Sequence, residues 1–265
     1  KKILAFGVIK IDIILSFLEY VFCRQKFNYF PLKSGHNLEE INKKNIAIYH
    51  IYTNALEKDN KDYLNFLSNC GFHIIISSAL KLKKSSIKYL EDSQISYSLF
   101  FKSNVGRDLH SYKYFYEELE YRKIDYKNLL FCNDSLFFLK DLSNTLKEKI
   151  DNFFSDHSKT IASLTINYVA HAHLGSFFIL VKRNETNARK LTKYFKKYIP
   201  LSSRVWSIKY GECGLSDALR YPHEFQVSIF YTNSSLLKID DLRSMVYASF
   251  LFSWIFKRNF NLTYQ

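Results

Sequence analysis

Short apolar blocks alternate with amphipathic stretches along much of this chain, and that alternation is its main organising signal. Ile46-Ala47-Ile48-Tyr49-His50-Ile51-Tyr52 is nearly continuous in hydrophobicity and too short for a stable helix, so it reads as a strand covered on both faces. From Lys61 to Cys70 the period changes: Tyr63, Leu64 and Leu67 share one face and Gly71 ends the run, which predicts an amphipathic helix. The pattern then predicts a strand over Phe72 to Ile76, a helix over Ser85 to Glu91 and a strand over Tyr97 to Phe101. A helix over Leu109 to Tyr121 and a strand over Asn128 to Cys132 complete this half. Such alternation predicts an α/β fold with a Rossmann-like, mostly parallel sheet flanked by helices.

Beyond Asn133 the alternation loosens. Helices are expected over Ser143 to Phe154, Glu185 to Tyr198 and Gly211 to Arg220, and strands over Thr160 to Ile166 and Ser176 to Val181. No internal repeat, low-complexity tract or proline-rich linker divides the chain. The expected organisation is a helical N-terminal extension over residues 1–44, one domain over 45–225, and a helical C-terminal segment over 226–265 that packs on the domain or on a membrane surface.

Composition supports a packed chain: 24 Phe and 20 Tyr stand against only 7 Gly and 3 Pro among 265 residues, the reverse of a loop-rich or disordered composition. Cys23, Cys70, Cys132 and Cys213 are widely spaced and form no CxxC pair, which argues against a zinc site or a dense disulfide framework and makes the reducing cytoplasm the natural compartment. The net charge of +13 favours anionic partners, among them diphosphates, anionic lipid and nucleic acid. Its lysines are dispersed and no recognised nucleic-acid module accompanies them, so no specific nucleic-acid partner is expected.

No stretch reaches the ~18 uncharged apolar residues that a membrane span needs. Ile11 to Phe22 is broken by Asp12 and Glu19, and Met245 to Phe256 is followed by Lys257-Arg258. That final segment, with Trp254 and Phe256, suits either a buried terminal helix or peripheral contact with an anionic membrane at the inner face of the plasma membrane. Lys10 and Asp12 interrupt the first apolar stretch, unlike a signal peptide, and the chain begins without Met, so it is expected to be either a trimmed chain or part of a larger protein.

The candidate chemistry sits at strand ends. Asn104-Val105-Gly106-Arg107-Asp108 follows the strand ending at Phe101, and Asn133-Asp134-Ser135 follows the strand ending at Cys132. In open α/β sheets ligands bind beyond the carboxyl ends of the strands, where these clusters fall. Gly-x-Ser-x-Gly, Walker-type, His-Glu-x-x-His and Gly-x-Gly-x-x-Gly motifs are all absent, which removes the commonest hydrolases, P-loop enzymes and dinucleotide-dependent dehydrogenases.

With His50 in the first strand, Asn104 to Lys113, Asn133-Asp134-Ser135, His173-Leu174-Gly175-Ser176-Phe177-Phe178 and Gly211-Glu212-Cys213-Gly214-Leu215-Ser216, the chain resembles the rhamnan synthesis protein F family of bacterial polysaccharide glycosyltransferases. The resemblance covers residues 45 to 220 and rests on the set and order of the motifs. It implies a GT-A-type inverting glycosyltransferase, with dTDP-L-rhamnose as donor and a surface polysaccharide or lipid-linked oligosaccharide as acceptor. It also places the catalytic carboxylate at Glu212, with Asp217 as the second candidate.

Chemistry gives each motif a reason. Sugar transfer needs positive charge for the departing diphosphate and a carboxylate for the acceptor proton. Arg107 is suited to fork onto a diphosphate, aided by a lysine such as Lys113, while Asn104 and Gly106 offer close backbone approach to a nucleotide. Asp108 suits a sugar or ribose hydroxyl, and equally an N-cap for a helix starting at Leu109. Asn133-Asp134-Ser135 falls where GT-A enzymes carry an Asp-x-Asp metal motif. With one carboxylate left a divalent ion gains less charge compensation, so Asp134 is a candidate either for Mg or Mn or for a hydrogen bond to the sugar, and an Asx turn is the competing explanation. Glu212 equally suits the first turn of a helix. His50 is expected at the nucleotide, and His173, Gly175 and Ser176 at an acceptor or sugar pocket, with core packing as the alternative for His173; His171-Ala172-His173 lacks a third ligand for a metal. Two other classes stay open: a non-catalytic glycan-binding or scaffold protein, and a basic nucleic-acid-binding protein.

Overall fold

The computed structural model describes residues 2–22, 28–30, 35–41, 45–102, 104–135, 138, 143–167, 172–220 and 227–230. A long helix, α1 (Lys2–Phe22), precedes a two-residue strand, β1 (Asn28–Tyr29), and a 3₁₀ turn at Leu38–Glu40. The alternation then begins: β2 (Asn45–Ile51), α2 (Lys58–Asn69), β3 (Phe72–Ser78), α3 (Lys84–Asp92), β4 (Tyr97–Phe101), α4 (Arg107–Tyr121) and β5 (Asn128–Asn133). After α5 (Ser143–Ser155) come β6 (Ile161–Ser163), β7 (Ile166–Asn167), β8 (His173–Leu174), β9 (Phe178–Lys182) and α6 (Glu185–Lys197). A short α7 (Arg204–Trp206), a π-helical turn (Ser207–Glu212), α8 (Cys213–Arg220) and β10 (Val227–Ile229) follow.

Eight strands form one sheet in the order β1-β4-β3-β2-β5-β9-β6-β10. Strands β2 to β5 are mutually parallel, and β9 runs antiparallel to both β5 and β6. This is the α/β architecture expected from the alternation. The four parallel strands lie in the order third, second, first, fourth, so the winding reverses between β2 and β5 and opens a crevice at their carboxyl ends.

The apolar runs explain why these strands are central. Six of the seven β2 residues and all of β3 are buried, as expected for parallel strands covered on both faces. Helix α4 lays Leu109, Tyr112, Phe115, Tyr116 and Leu119 against Ile46, Ile48 and Phe131, and each such burial is worth roughly 1.5–3 kcal/mol. Because its first turn is also the end of the Asn104–Asp108 loop, the helix that anchors the core fixes that loop as well. Cys70, Cys132 and Cys213 are buried free thiols.

Three expectations need correction. The strand expected over Thr160 to Ile166 breaks after Ser163, whose hydroxyl donates to the carbonyls of Thr165 and Phe178, and Ile166–Asn167 pairs instead with β8 in a separate ribbon. The N-terminal extension is more than helical: β1 adds an antiparallel edge to β4 and Leu38 enters the core. At the other end β10 pairs in parallel with β6, so the sheet continues past residue 225. Residues 1–230 form one compact unit. The terminal helix expected beyond it lies outside the described residues, as do Cys23, His171 and His223.

Candidate functional site

The ends of β2 and β5 are laced together at the switch point. The Asp134 amide donates to the His50 carbonyl (3.1 Å), and its carboxylate turns back to accept the Tyr52 amide (2.9 Å) and that of Thr53. Asp134 thus ties its carboxylate to backbone donors of the β2 end, and it is not among the residues that line the cavity described below. Asn133 does reach the crevice. Its Oδ1 accepts the Ser135 amide (3.0 Å) in an Asx turn, and its Nδ2 donates to Asp108 Oδ2 (2.7 Å). Asp108 Oδ1 accepts the Leu109 amide (3.0 Å), while the Asp108 amide donates to the Tyr52 hydroxyl (3.1 Å).

Helix α4 starts at Arg107, two residues earlier than expected, so Asp108 lies in its first turn and Gly106 takes the N-cap position. Gly106 has φ +72°, and a Cβ there would come within 2.5 Å of the Pro200 carbonyl oxygen. The close approach that the structure shows at Gly106 is to Pro200. The Gly106 amide donates to Ser202 Oγ (3.3 Å) and Arg107 Nε to the Ser202 carbonyl (3.2 Å), which docks this loop on the segment before α7. Arg107 itself holds φ +54°, a conformation costing about 1–3 kcal/mol in a non-glycine residue. Asn104 closes the turn with its carbonyl and leaves its side chain exposed.

The facing wall comes from α7 and the π-helical turn, a local geometry that recurs at functional sites. Glu212 ends that turn. Gly211 lets it pack closely, since a Cβ there would sit 3.0 Å from the Tyr198 hydroxyl and 3.1 Å from Leu109 Cγ. Glu212 Oε2 lies 3.8 Å from Nε2 of buried His173, a separation too long for a direct hydrogen bond but close enough for electrostatic coupling. His173 is held in place through β8, where the Leu174 amide donates to Ser216 Oγ of α8 (2.9 Å). The turn after β8 brings Ser176 to the rim, its carbonyl accepting the Tyr112 hydroxyl (3.1 Å), and Gly175 makes room there for the Phe177 ring.

These elements enclose a cavity of about 360 Å³ lined by Arg107, Asp108, Asn133, Ser135, Ser176 and Glu212, all singled out by the sequence. Tyr52, Phe177, Arg204, Ser207 and Ile208 complete it and were not anticipated. Arg204 is the most informative of these, being exposed, with a side chain that makes no protein hydrogen bond or ion pair among the described residues. No family model matches the chain, and no curated protein matches it.

Other expected residues stand elsewhere. His50 is fully buried beneath the rim. Its Nδ1 is 3.0 Å from Ser111 Oγ, its ring meets Tyr52 edge-on at 4.5 Å, and its Nε2 has no hydrogen-bond partner among the described residues. Lys113 Nζ is bound by the carbonyls of Phe195 and Tyr198 at the end of α6, so it caps that helix and does not face the crevice. Asp217 lines a different cavity, on the far side of α8.

Burial shapes the electrostatics. Desolvation raises the Asp108 and Asp134 carboxyls above the usual range, opposed at Asp108 by the Asn133 hydrogen bond and reinforced by the charge of Glu212. Beneath them Lys102 is 4 % exposed, donates to the Val105 carbonyl (3.1 Å) and is lowered to about 7 by desolvation. Burial lowers His110 to about 4 and holds His50 well below its ordinary value, with the Lys102 charge adding to both. Among the described residues no group of three or more His, Cys, Asp or Glu is placed to hold a metal ion. The cavity thus offers two guanidinium groups for an anion and two carboxylates for hydroxyl donors.

Proposed function

We propose that the protein is a GT-A-type glycosyltransferase that moves a sugar from a nucleotide donor onto a glycan, with inversion at the anomeric carbon. The observation that carries this reading is the meeting of Arg107 and Arg204 with Asp108 and Glu212 in one cavity at the switch point of the sheet. Arg107 and Arg204 bind the diphosphate and take up its growing charge as the anomeric carbon–oxygen bond breaks. Glu212 accepts the proton of the acceptor hydroxyl as that oxygen bonds to the anomeric carbon from the opposite face. Asp108 and Asn133, locked to each other, orient sugar or ribose hydroxyls. The motif resemblance supports dTDP-L-rhamnose as donor and a polysaccharide or lipid-linked oligosaccharide as acceptor. Asp134, whose carboxylate also accepts the Tyr52 amide, is the one residue of this group proposed for a divalent ion, and the manganese arm of the titration below tests that role.

Thermal-shift titration with dTDP-, UDP-, GDP- and CMP-sugars, with and without manganese, tests this. One donor class is expected to raise the midpoint, since a ligand at a hundred times its Kd adds about 2.7 kcal/mol. Arg204→Ala is expected to weaken that donor by about tenfold or more through loss of a charge-assisted contact. No response to any nucleotide sugar would reject the reading.

Among the described residues no helix is long and apolar enough to cross a membrane. We place the enzyme peripherally, at the cytoplasmic face of an anionic membrane. Exposed Ile11, Ile14, Leu15, Leu18 and Phe22 on α1, together with the +13 net charge, support this. The chain is expected to co-sediment with phosphatidylserine vesicles and not with purely zwitterionic ones, and Ile14→Glu combined with Leu18→Glu is expected to release it. Unchanged sedimentation of that double variant would refute α1 as the contact.

A further inference from the structure

A helical rod formed by α7, the π-helical turn and α8 separates two cavities. Its Arg204, Ser207, Ile208 and Glu212 line the cavity described above, and its Trp206, Tyr210, Gly214, Asp217 and Ala218 line a second one of about 590 Å³. We propose that this second cavity binds an acidic glycan, a run of sugar rings bearing carboxylate groups. The assignment rests on the sugar-transfer reading only in making that glycan the growing acceptor, held about one helix diameter, ~10 Å, from the transfer site.

The lining is built for such a ligand. Helix α6 presents Lys190, Lys193 and Lys197 along one edge, one turn apart. Lys190 Nζ is tied to the Leu219 carbonyl (2.6 Å), whereas Lys193 and Lys197 are exposed and have no hydrogen bond or ion pair among the described residues. Two mobile ammonium groups about one turn apart suit spaced acid groups better than a single compact anion. Tyr194 of the same helix and Trp206 and Tyr210 of the rod add an aromatic wall whose geometry is already fixed. The Trp206 indole donates to the Ile199 carbonyl (2.8 Å), the Tyr194 hydroxyl donates to the Gly211 carbonyl (2.9 Å), and Trp206 and Tyr210 pack at 4.3 Å between centroids. Such surfaces take the apolar faces of sugar rings with little ordering cost, because the rings are held before the ligand arrives.

One feature favours a glycan over nucleic acid: Asp217 adds a carboxylate to the lining, an acceptor type suited to the closely spaced hydroxyl donors of a sugar chain.

Tryptophan fluorescence of the full chain titrated with an oligogalacturonate of defined length tests the assignment. Saturable quenching is expected, with a neutral maltooligosaccharide of equal length binding about tenfold more weakly or worse. Lys193→Ala/Lys197→Ala, two exposed positions that the fold does not use, should lose about tenfold in oligogalacturonate affinity, while Arg204→Ala stays within about twofold. Equal binding of the neutral glycan, an unaffected double lysine variant, or tighter binding of polyphosphate or oligothymidylate would each overturn the proposal. If oligogalacturonate binds normally but no nucleotide sugar does, the transfer reading fails and the acidic-glycan site stands. The reverse result removes only the second site.

Discussion

Glu212→Gln is expected to reduce sugar transfer by about a thousandfold while leaving donor affinity within about threefold, because a positioned general base contributes roughly 10²–10⁴. The substitution keeps the size and hydrogen-bonding shape of the side chain and removes only its capacity to take a proton. The Glu212 side chain is about one-quarter exposed, and its contact with His173 among the described residues is a 3.8 Å approach, longer than a hydrogen bond, so glutamine fits the same place. A loss confined to kcat in single-turnover assays, with an unchanged thermal midpoint, identifies a group that acts in the transition state. Transfer that persists in the glutamine variant rejects Glu212 as the base and leaves Asp108 as the remaining carboxylate of the cavity. Asp217 is a poor substitute, since the same helix carries it into the other cavity.

How much of this was legible in the sequence depends on how far each contact reaches along the chain. Strands β2 to β5 were readable because burial on both faces forces continuous apolar runs, and the polar clusters at their ends were readable because such runs must stop at the rim. The direction of a side chain at that rim was not. Asp134 and Asn133 are neighbours in one turn, yet Asp134 folds back on Tyr52 and Thr53 while Asn133 points to Asp108, and composition alone permits either. Arg204 escaped notice for a different reason. It lies in a three-residue helix with no periodicity, and reaches the site only because Gly106 and Arg107 dock on Ser202, about a hundred residues away in sequence. The local clue was Ser203, which caps that helix, behind the turn residues Pro200 and Ser202. The positive φ at Gly106 was foreseeable from residue type, but its partner Pro200 was not.

Lys102→Met is expected to change the pH dependence of stability by roughly 4–5 kcal/mol between pH 7 and 10.5, and this follows from burial without reference to catalysis. In the folded protein the Lys102 ammonium loses its proton near pH 7, whereas in the unfolded chain it does so near 10.5. Within that window the unfolded state binds more protons, so the contribution of Lys102 to stability rises with pH. Below pH 7 the charge is present in both states and its full desolvation cost is carried by the fold, offset only in part by Asp108 and the Val105 carbonyl. Methionine keeps most of the apolar stem and removes the charge. The variant should therefore gain most over the parent near pH 7, with the gap closing toward pH 10.5. His110 is already neutral through this range, as is His50, so neither confounds the comparison. Urea unfolding at half-unit pH steps measures it, and parallel curves for the two proteins would show that Lys102 keeps an ordinary affinity for its proton. Lys102 also holds the Val105 carbonyl in the loop that presents Arg107 and Asp108, and its charge interacts with Asp108. The same variant should therefore bind the nucleotide donor more weakly even as it becomes harder to unfold.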